Sequence, residues 1–437
     1  MGQGIEGNLS HAMGVLGNGF EDRIMREEEI VEVVHRSLDN ASLDGKRVLV
    51  VIPDHTRTAP IPLMFRTLYD VLAKRTKALD FIVALGTHPP MPMDHILQLV
   101  GITEQEHAAK YPKSRFFNHL WKDPDALVSV GTIPEDEIDR ISGGLFKMEV
   151  NLTINKLVTE YDHVIIVGPV FPHEVVGFSG GNKYLFPGIA GQEIIDFFHW
   201  LGAVITNPMI IGDKYTPVRA VVDAAAKRVP VEKSCFAMVV KGADLAGIYY
   251  GSPEEAWSDA ADLSSKLHVT FGDRTYHTVL SCAPAMYDDI WTAGKCMYKL
   301  EPVVADGGRL IIYAPHIDEI SYTHGKVLDE IGYHTRDYYL AQWDKFKGYP
   351  WGVVAHSTHV KGIGAYGNGV EKPRVEVILA TRIPESRCRA VNLGYMDPDS
   401  IRVEDYENKE DEGILYVKKA GEMLYRLQNT ATIKGDS

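Results

Sequence analysis

Three short runs of apolar, mostly β-branched residues punctuate the first half of the chain: Val48–Ile52, Phe81–Leu85 and Val164–Val167. Continuous apolar runs of this length mark strands buried on both faces, as in parallel sheets covered by helices. Apolar residues at helical spacing predict helices over Asp22–Leu38, Ile61–Leu72 and Met93–Val100. A further helix starts at Thr103, where Thr-Glu-Gln-Glu forms a capping box. Arg115–Glu137 is polar and mixed, and predicts a short strand with excursions; Gly144–Asn155 predicts a β segment. Gln192–Trp200 reads as a helix ending near His199, and Val218–Ala226 as one starting after Pro217. Ser234–Val240 and Leu245–Tyr250 form a hairpin pair about Gly242-Ala243-Asp244, followed by a helix over Pro253–Leu267. Thr278–Ser281, Leu310–Tyr313 and Val375–Ala380 begin a second strand series. The alternation predicts an α/β protein of two α/β domains with mainly parallel sheets and the active site in the interdomain cleft. The boundary falls near Asp273, giving residues 1–272 and 273–437.

Composition narrows the class. The 437 residues are 45% apolar and 24% charged, an ordinary globular balance. A net charge of -14 argues against nucleic acid as a partner. No run approaches the ~18 apolar residues of a membrane span. Four cysteines without a C-x-x-C give neither a disulfide framework nor a zinc ribbon, and fit a cytoplasmic setting. Met1–Phe20, rich in Gly, Asn and Ser, lacks a basic start and apolar core; it reads as a loose tail and not as a signal peptide.

The candidate chemistry follows the strands. Val164–Val167 empties into Gly168–Gly191, which holds His173, the turn Ser179-Gly180-Gly181, Lys183 and the break Pro187-Gly188. Successive amides in such a turn can form a cationic nest for phosphate. Lys183 can neutralise an anion or, with a depressed pKa, act as a nucleophile. The first strand leads to Asp54, His55, Thr56 and Arg57, the second to His88, and Thr278–Ser281 to Asp288, Asp289, Trp291 and Lys295. Ligands of open parallel sheets bind beyond the carboxyl ends of strands, so these loops are expected to converge.

Each residue has a plainer reading. The Arg57 fork suits a carboxylate or phosphate, or a structural salt bridge. Asp54 can orient a histidine, bind a ribose hydroxyl or cap a helix; Thr56 can donate to phosphate or close a turn. His88 and His173 can move protons on two faces of a substrate, or be structural. His199 can ligate a metal or serve the helix dipole. His356-Ser-Thr-His359 is a metal pair lacking a third ligand. The P-loop pattern fails because Asn182 precedes Lys183 and Tyr184 follows it, and no G-x-G-x-x-G follows the early strands.

Together, Pro53-Asp54-His55-Thr56-Arg57, Gly86-Thr87-His88, Pro172-His173-Glu174, Gly177-Phe178-Ser179-Gly180-Gly181-Asn182-Lys183, Phe186-Pro187-Gly188 and His199 resemble the nickel-pincer-dependent lactate racemase family. The resemblance covers most of the N-terminal region and continues more weakly to Lys295. It implies a nickel-pincer nucleotide, a Ni(II)-pyridinium-3,5-bisthiocarboxylic acid mononucleotide attached to Lys183 by a thioamide, with His199 as the metal ligand. It implies His88 and His173 as the acid/base pair. Asp54, His55, Thr56, Arg57, Ser179, Gly180 and Gly181 would hold the cofactor, with Arg57 also on the substrate carboxylate. The implied reaction is racemisation or epimerisation of a small 2-hydroxy acid by reversible hydride transfer. The implied partners are that acid and the cofactor-biosynthesis enzymes; no oligomeric state is implied.

The chain departs from the family where a Tyr-Gln pair precedes the substrate-binding lysine. Trp291-Thr292 stands there, with Lys295 keeping the lysine position, and Pro89-Pro90 follows His88 in place of a basic residue. Trp291 and Thr292 would then shape a pocket for a substrate other than lactate: a larger, aromatic, acidic or sugar-derived acid. Trp291 can stack on that substrate or belong to the core. The rival readings are a metal-dependent hydrolase with His88, His173 and His199 as direct ligands, a non-catalytic phosphate- or nucleotide-binding protein, and a racemase working by proton transfer.

Overall fold

A computed structural model describes residues 14–39 and 41–428. Seven strands form the first sheet: β1 (Leu16–Gly19), β2 (Arg47–Pro53), β3 (Ala78–Ala84), β4 (Phe116–Asn118), β5 (His163–Pro169), β6 (Glu232–Lys241) and β7 (Asp244–Gly251). Their order is β1-β7-β6-β5-β2-β3-β4. From β6 to β4 all pairs are parallel, and β7 and β1 close one edge antiparallel. Five strands form a second sheet: β8 (Tyr276–Cys282), β9 (Val304–Ala314), β10 (Glu376–Thr381), β11 (Gly394–Tyr395) and β12 (Ile414–Val417). Its order is β11-β10-β9-β8-β12, parallel throughout. The expected α/β class and mainly parallel sheets are as found.

The apolar runs are strands because both their faces are covered. Leu49 and Val51 pack into one cluster with Val164 and Ile166, while Val48, Val50 and Ile52 point the other way, with Phe81 and Ile165. Alternate residues of a strand face opposite sides, so each face receives its own apolar set. The hydrophobic burial is worth about 1.5–3 kcal/mol for each large side chain.

The Gln192–Ile205 helix joins the two halves. Its Ile194, Phe197, Phe198 and Leu201 enter the first sheet's cluster; its Trp200 and Ala203 enter that of the second. Trp200 stacks on Trp343 with ring centroids 4.7 Å apart. The Trp351–Lys361 helix lies against it, and the Gly352 amide donates to Asp196 Oδ1 at 2.8 Å.

Three expectations are corrected. The Gln192 helix runs to Ile205, so His199 lies in its interior and the dipole reading falls. The first helix starts at Glu27, later than Asp22, because Glu29 turns back to accept from the Arg26 amide and pairs with Arg23. Within the expected tail, Leu16–Gly19 is a strand paired with β7; residues 1–13 lie outside the described part. Among the described residues no helix is long and apolar enough to cross a membrane.

Candidate active site

β2, β3 and β5 are parallel neighbours, so their carboxyl ends share one edge of the sheet. The loops leaving that edge meet the segment after β8 around one cavity. Asp54, Arg57, Gly86, His88, His173, Ser179, Gly180, Lys183 and His199 line it from one side of the chain, and Trp291, Thr292, Lys295, His356 and His359 from the other. The Gly86 amide donates to the Gly188 carbonyl at 2.9 Å, tying the His88 loop to the Lys183 loop.

His88 Nδ1 lies 2.5 Å from Asp54 Oδ2. Asp54 is buried and also accepts from the Thr56 amide at 3.1 Å and hydroxyl at 2.7 Å. Burial opposes its ionisation, but His88, Arg57 and Thr56 outweigh this and hold its carboxyl well below the usual range. An ionised carboxylate only accepts, so His88 carries its proton on Nδ1 and presents an Nε2 lone pair. His173 is buried, and its Nδ1 accepts from the Val175 amide at 3.1 Å. Glu174 Oε2 lies 3.2 Å from the same nitrogen. Burial first, then the charges of Lys183 and Arg57, push its pKa well down.

Among the described residues the Arg57 guanidinium has no ion-pair partner, so the structural salt bridge considered for it is not formed. Lys295 sits near it, its Nζ 4.8 Å from the Tyr287 ring centre, with its pKa pushed well down by burial, Arg57 and Lys299. Lys183 is pushed down to about 7 by burial and by Arg57.

His199 donates Nδ1–H to the Ile195 carbonyl at 2.6 Å. That bond leaves Nε2 as a lone pair on the cavity wall, the arrangement a histidine metal ligand uses. Burial holds its pKa down to about 4, so the nitrogen stays unprotonated near neutral pH.

Not every expected residue reaches the cavity. His55 is exposed, and Gly181 lies behind the wall, where a Cβ would sit 2.8 Å from Trp257 Cβ. Thr56 lines a smaller adjoining cavity. Ser179 Oγ accepts from the Phe171 amide at 2.9 Å, so it braces the turn. Asp289 accepts from the Thr292 amide at 3.0 Å and so caps a helix. Among the described residues no three His, Cys, Asp or Glu side chains are grouped to hold a metal. The hydrolase reading therefore lacks its ligand set.

The sequence pattern of the lactate racemase N-terminal domain matches residues 11–210. Lactate racemase of Thermoanaerobacterium thermosaccharolyticum is 26% identical over 310 residues, 67% of each chain. The chain is similar to the lactate racemase family over this N-terminal region. Lactate racemase of Lactiplantibacillus plantarum is 29% identical over 192 residues, 40% of each chain. A crystal structure of a Thermotoga maritima protein superposes with a TM-score of 0.85 at 34% identity, covering 92% of this chain and 99% of that one. The lactate racemase apoprotein of T. thermosaccharolyticum shares the fold, with a TM-score of 0.68 at 21% identity over 95% of each chain.

Several wall residues escaped the sequence. Glu174 and Tyr298 line the cavity beside His173, and Lys299 lines the adjoining one, donating to the Glu422 carbonyl at 3.0 Å. His356 and His359 had no visible link to His199 until two helices met. Glu174 stood in the Pro172-His173-Glu174 motif of the sequence but without an assigned role.

Proposed function

We propose that the protein is an isomerase, a racemase or epimerase of a 2-hydroxy acid that uses a nickel-pincer nucleotide tethered to Lys183. We also assign the division into domains near Asp273, between the two sheets. One observation carries the reading: two carboxylate-flanked histidines, a guanidinium without an ion-pair partner among the described residues and a lysine of depressed pKa face one cavity.

The residues fit such a cofactor. Lys183, shifted to about 7, has a large nucleophilic fraction at neutral pH, as covalent attachment needs. His199 Nε2 is free for the metal. When bound, the cofactor supplies an acceptor that takes up and returns the Cα hydrogen as hydride. Arg57 and Lys295 hold the substrate carboxylate. His88 Nε2 takes the hydroxyl proton, with Asp54 stabilising the imidazolium through Nδ1. A planar 2-keto acid results, and rotates within the grip of Arg57. For this step His173 has to enter as the imidazolium, its Nδ1–H turned from the Val175 amide to Glu174 3.2 Å away, and it gives its Nε2 proton to the oxygen. For the opposite enantiomer the two histidines exchange roles. Tethering converts Lys183 to a neutral group and removes one of the positive charges that hold His173 neutral.

Incubating the loaded enzyme with single enantiomers of 2-hydroxy acids deuterated at Cα tests this reading. Interconversion with the deuterium retained supports it. Washout to solvent would favour proton transfer at Cα, and ligand binding without turnover would favour the binding-protein reading.

A further inference from the structure

Glu174 Oε2 lies 3.2 Å from His173 Nδ1, and among the described residues no other ion pair holds its carboxylate. Four cations face it nonetheless: Arg57, Lys183, Lys295 and Lys299 each feel its charge. Attraction from several sides does not fix a carboxylate, because a Coulomb interaction depends on distance and hardly on angle. Closing on Lys299 or Arg57 would take Glu174 away from His173.

A directional contact from the second half of the chain supplies what the cations do not. The short helix Lys295–Tyr298 sets Lys295 and Tyr298 three residues apart, so both reach the cavity wall from one face. Tyr298 is 3% exposed, and its hydroxyl faces Glu174 within hydrogen-bonding reach. Burial, followed by the charge of Glu174, pushes its pKa well up, so the phenol keeps its proton. A phenol O–H donates and an ionised carboxylate only accepts, which fixes the direction of the bond. The tyrosine is itself held. Its carbonyl accepts from Asn207 Nδ2 at 2.9 Å, and its ring meets that of His359 at 70° with centres 6.2 Å apart.

We propose that Tyr298 is the positioning residue of the His173 proton pair: its hydroxyl holds Glu174 against His173 Nδ1, ready to support the imidazolium. The proposal rests on the acid/base role given to His173 above. Tyr298 acts through Glu174 and touches no reacting atom. The part of the chain after Asp273 thereby sets the geometry of a base carried by the part before it.

The test is a double-mutant cycle on loaded enzyme, with cofactor content verified by intact mass. It uses whichever of lactate, malate, phenyllactate and gluconate the wild type turns over fastest. Tyr298→Phe should lower kcat about 10- to 100-fold with little change in KM, the loss expected for one hydrogen bond to a charged group. Glu174→Gln should cost at least as much. With the carboxylate gone Tyr298 has nothing to hold, so adding Tyr298→Phe to Glu174→Gln should lower kcat by no more than about twofold further. A crystal structure of unloaded Tyr298→Phe should show the Glu174 carboxylate moved off His173 towards Lys299 or Arg57. Additive losses overturn the proposal, since Tyr298 would then act on substrate or cofactor directly. So do full activity or loss of cofactor in Tyr298→Phe, and a Glu174 carboxylate that stays in place without the hydroxyl. A loaded wild type that turns over none of these acids sinks the 2-hydroxy acid reading itself. That failure is told apart by the crystal structure, which needs no turnover.

Discussion

Asp54 Oδ2 sits 2.5 Å from His88 Nδ1, and its other oxygen is held by the Thr56 amide and hydroxyl. The carboxylate is thereby fixed on both sides and fixes the imidazole in turn. Asp54→Asn keeps the shape but offers an amide that can donate, which favours the tautomer with Nδ1 as acceptor and removes the lone pair from Nε2. Turnover should fall roughly 10²- to 10⁴-fold with little change in KM. Steady-state kinetics decide it; a fall below tenfold would remove Asp54 from the proton chemistry.

Lys183 gives a pH signature without any cofactor. Its pKa is about 7 in the folded chain, against about 10.4 for an unfolded lysine. The unfolded state therefore binds more protons between these values, and folding is favoured as pH rises through that window. Stability is highest above about 10.4, declines as pH falls, and the cost of the buried charge is complete below about 7. Lys183→Met should therefore stabilise the untethered protein below pH 7, by an amount that fades towards pH 10. Urea midpoints of both proteins across this range measure it; a constant difference contradicts the assignment.

The same substitution removes one of the charges that depress His173, after burial itself. The His173 pKa should rise in Lys183→Met, observable as a shift of its Cε1 proton titration curve to higher pH in specifically labelled protein. An unchanged titration would mean that the Lys183 charge does not act on His173, leaving burial and the other charges to set it.

Arg219 braces the lysine loop from behind. It is 2% exposed, donates to the carbonyls of Phe178 and Gly180, and lies 4.0 Å from the Trp257 ring centre. Removing it takes the Arg219 donor from the Phe178 carbonyl and leaves the Gly180 carbonyl only the Lys183 amide at 3.3 Å, next to Gly180 and Gly181, two positions of positive φ. Arg219→Ala should cost about 2–4 kcal/mol in denaturant unfolding. Arg219→Lys should not rescue it, because a lysine lacks the fork and the flat face. Loss under 1 kcal/mol would make the contact incidental.

Arg57→Ala should lower kcat/KM by roughly 10- to 100-fold, as expected for loss of charge-assisted hydrogen bonds to a carboxylate. Arg57→Lys should recover only part of it. Kinetics with the loaded variant test this, and full activity in Arg57→Lys would reduce the residue to a point charge.

The strands and their loops were legible because a strand buried on both faces must be apolar throughout, and its polar residues are pushed to the carboxyl end. Val48–Ile52 and Val164–Val167 carry that signature, and Asp54, His88, His173 and Lys183 follow from it. The Trp351–Lys361 helix was not legible for the opposite reason. It is buried almost all round, from Val353 to Lys361, so no polar face marks a period, and His356 and His359 look like scattered polar residues. His199 was found, but its helix was cut short at Trp200 because the following Leu-Gly-Ala-Val-Ile run gives no sign of which core it enters. It enters both, and that double anchoring places His199 opposite His359.

The most direct test of the account is intact mass and peptide mapping, with nickel content, on the chain co-produced with enzymes that make the cofactor. The account predicts a cofactor-sized adduct on the Lys183 peptide, absent in Lys183→Ala, with nickel lost in His199→Ala while the adduct remains. An unmodified Lys183 peptide from cells that load a known lactate racemase in parallel would contradict it.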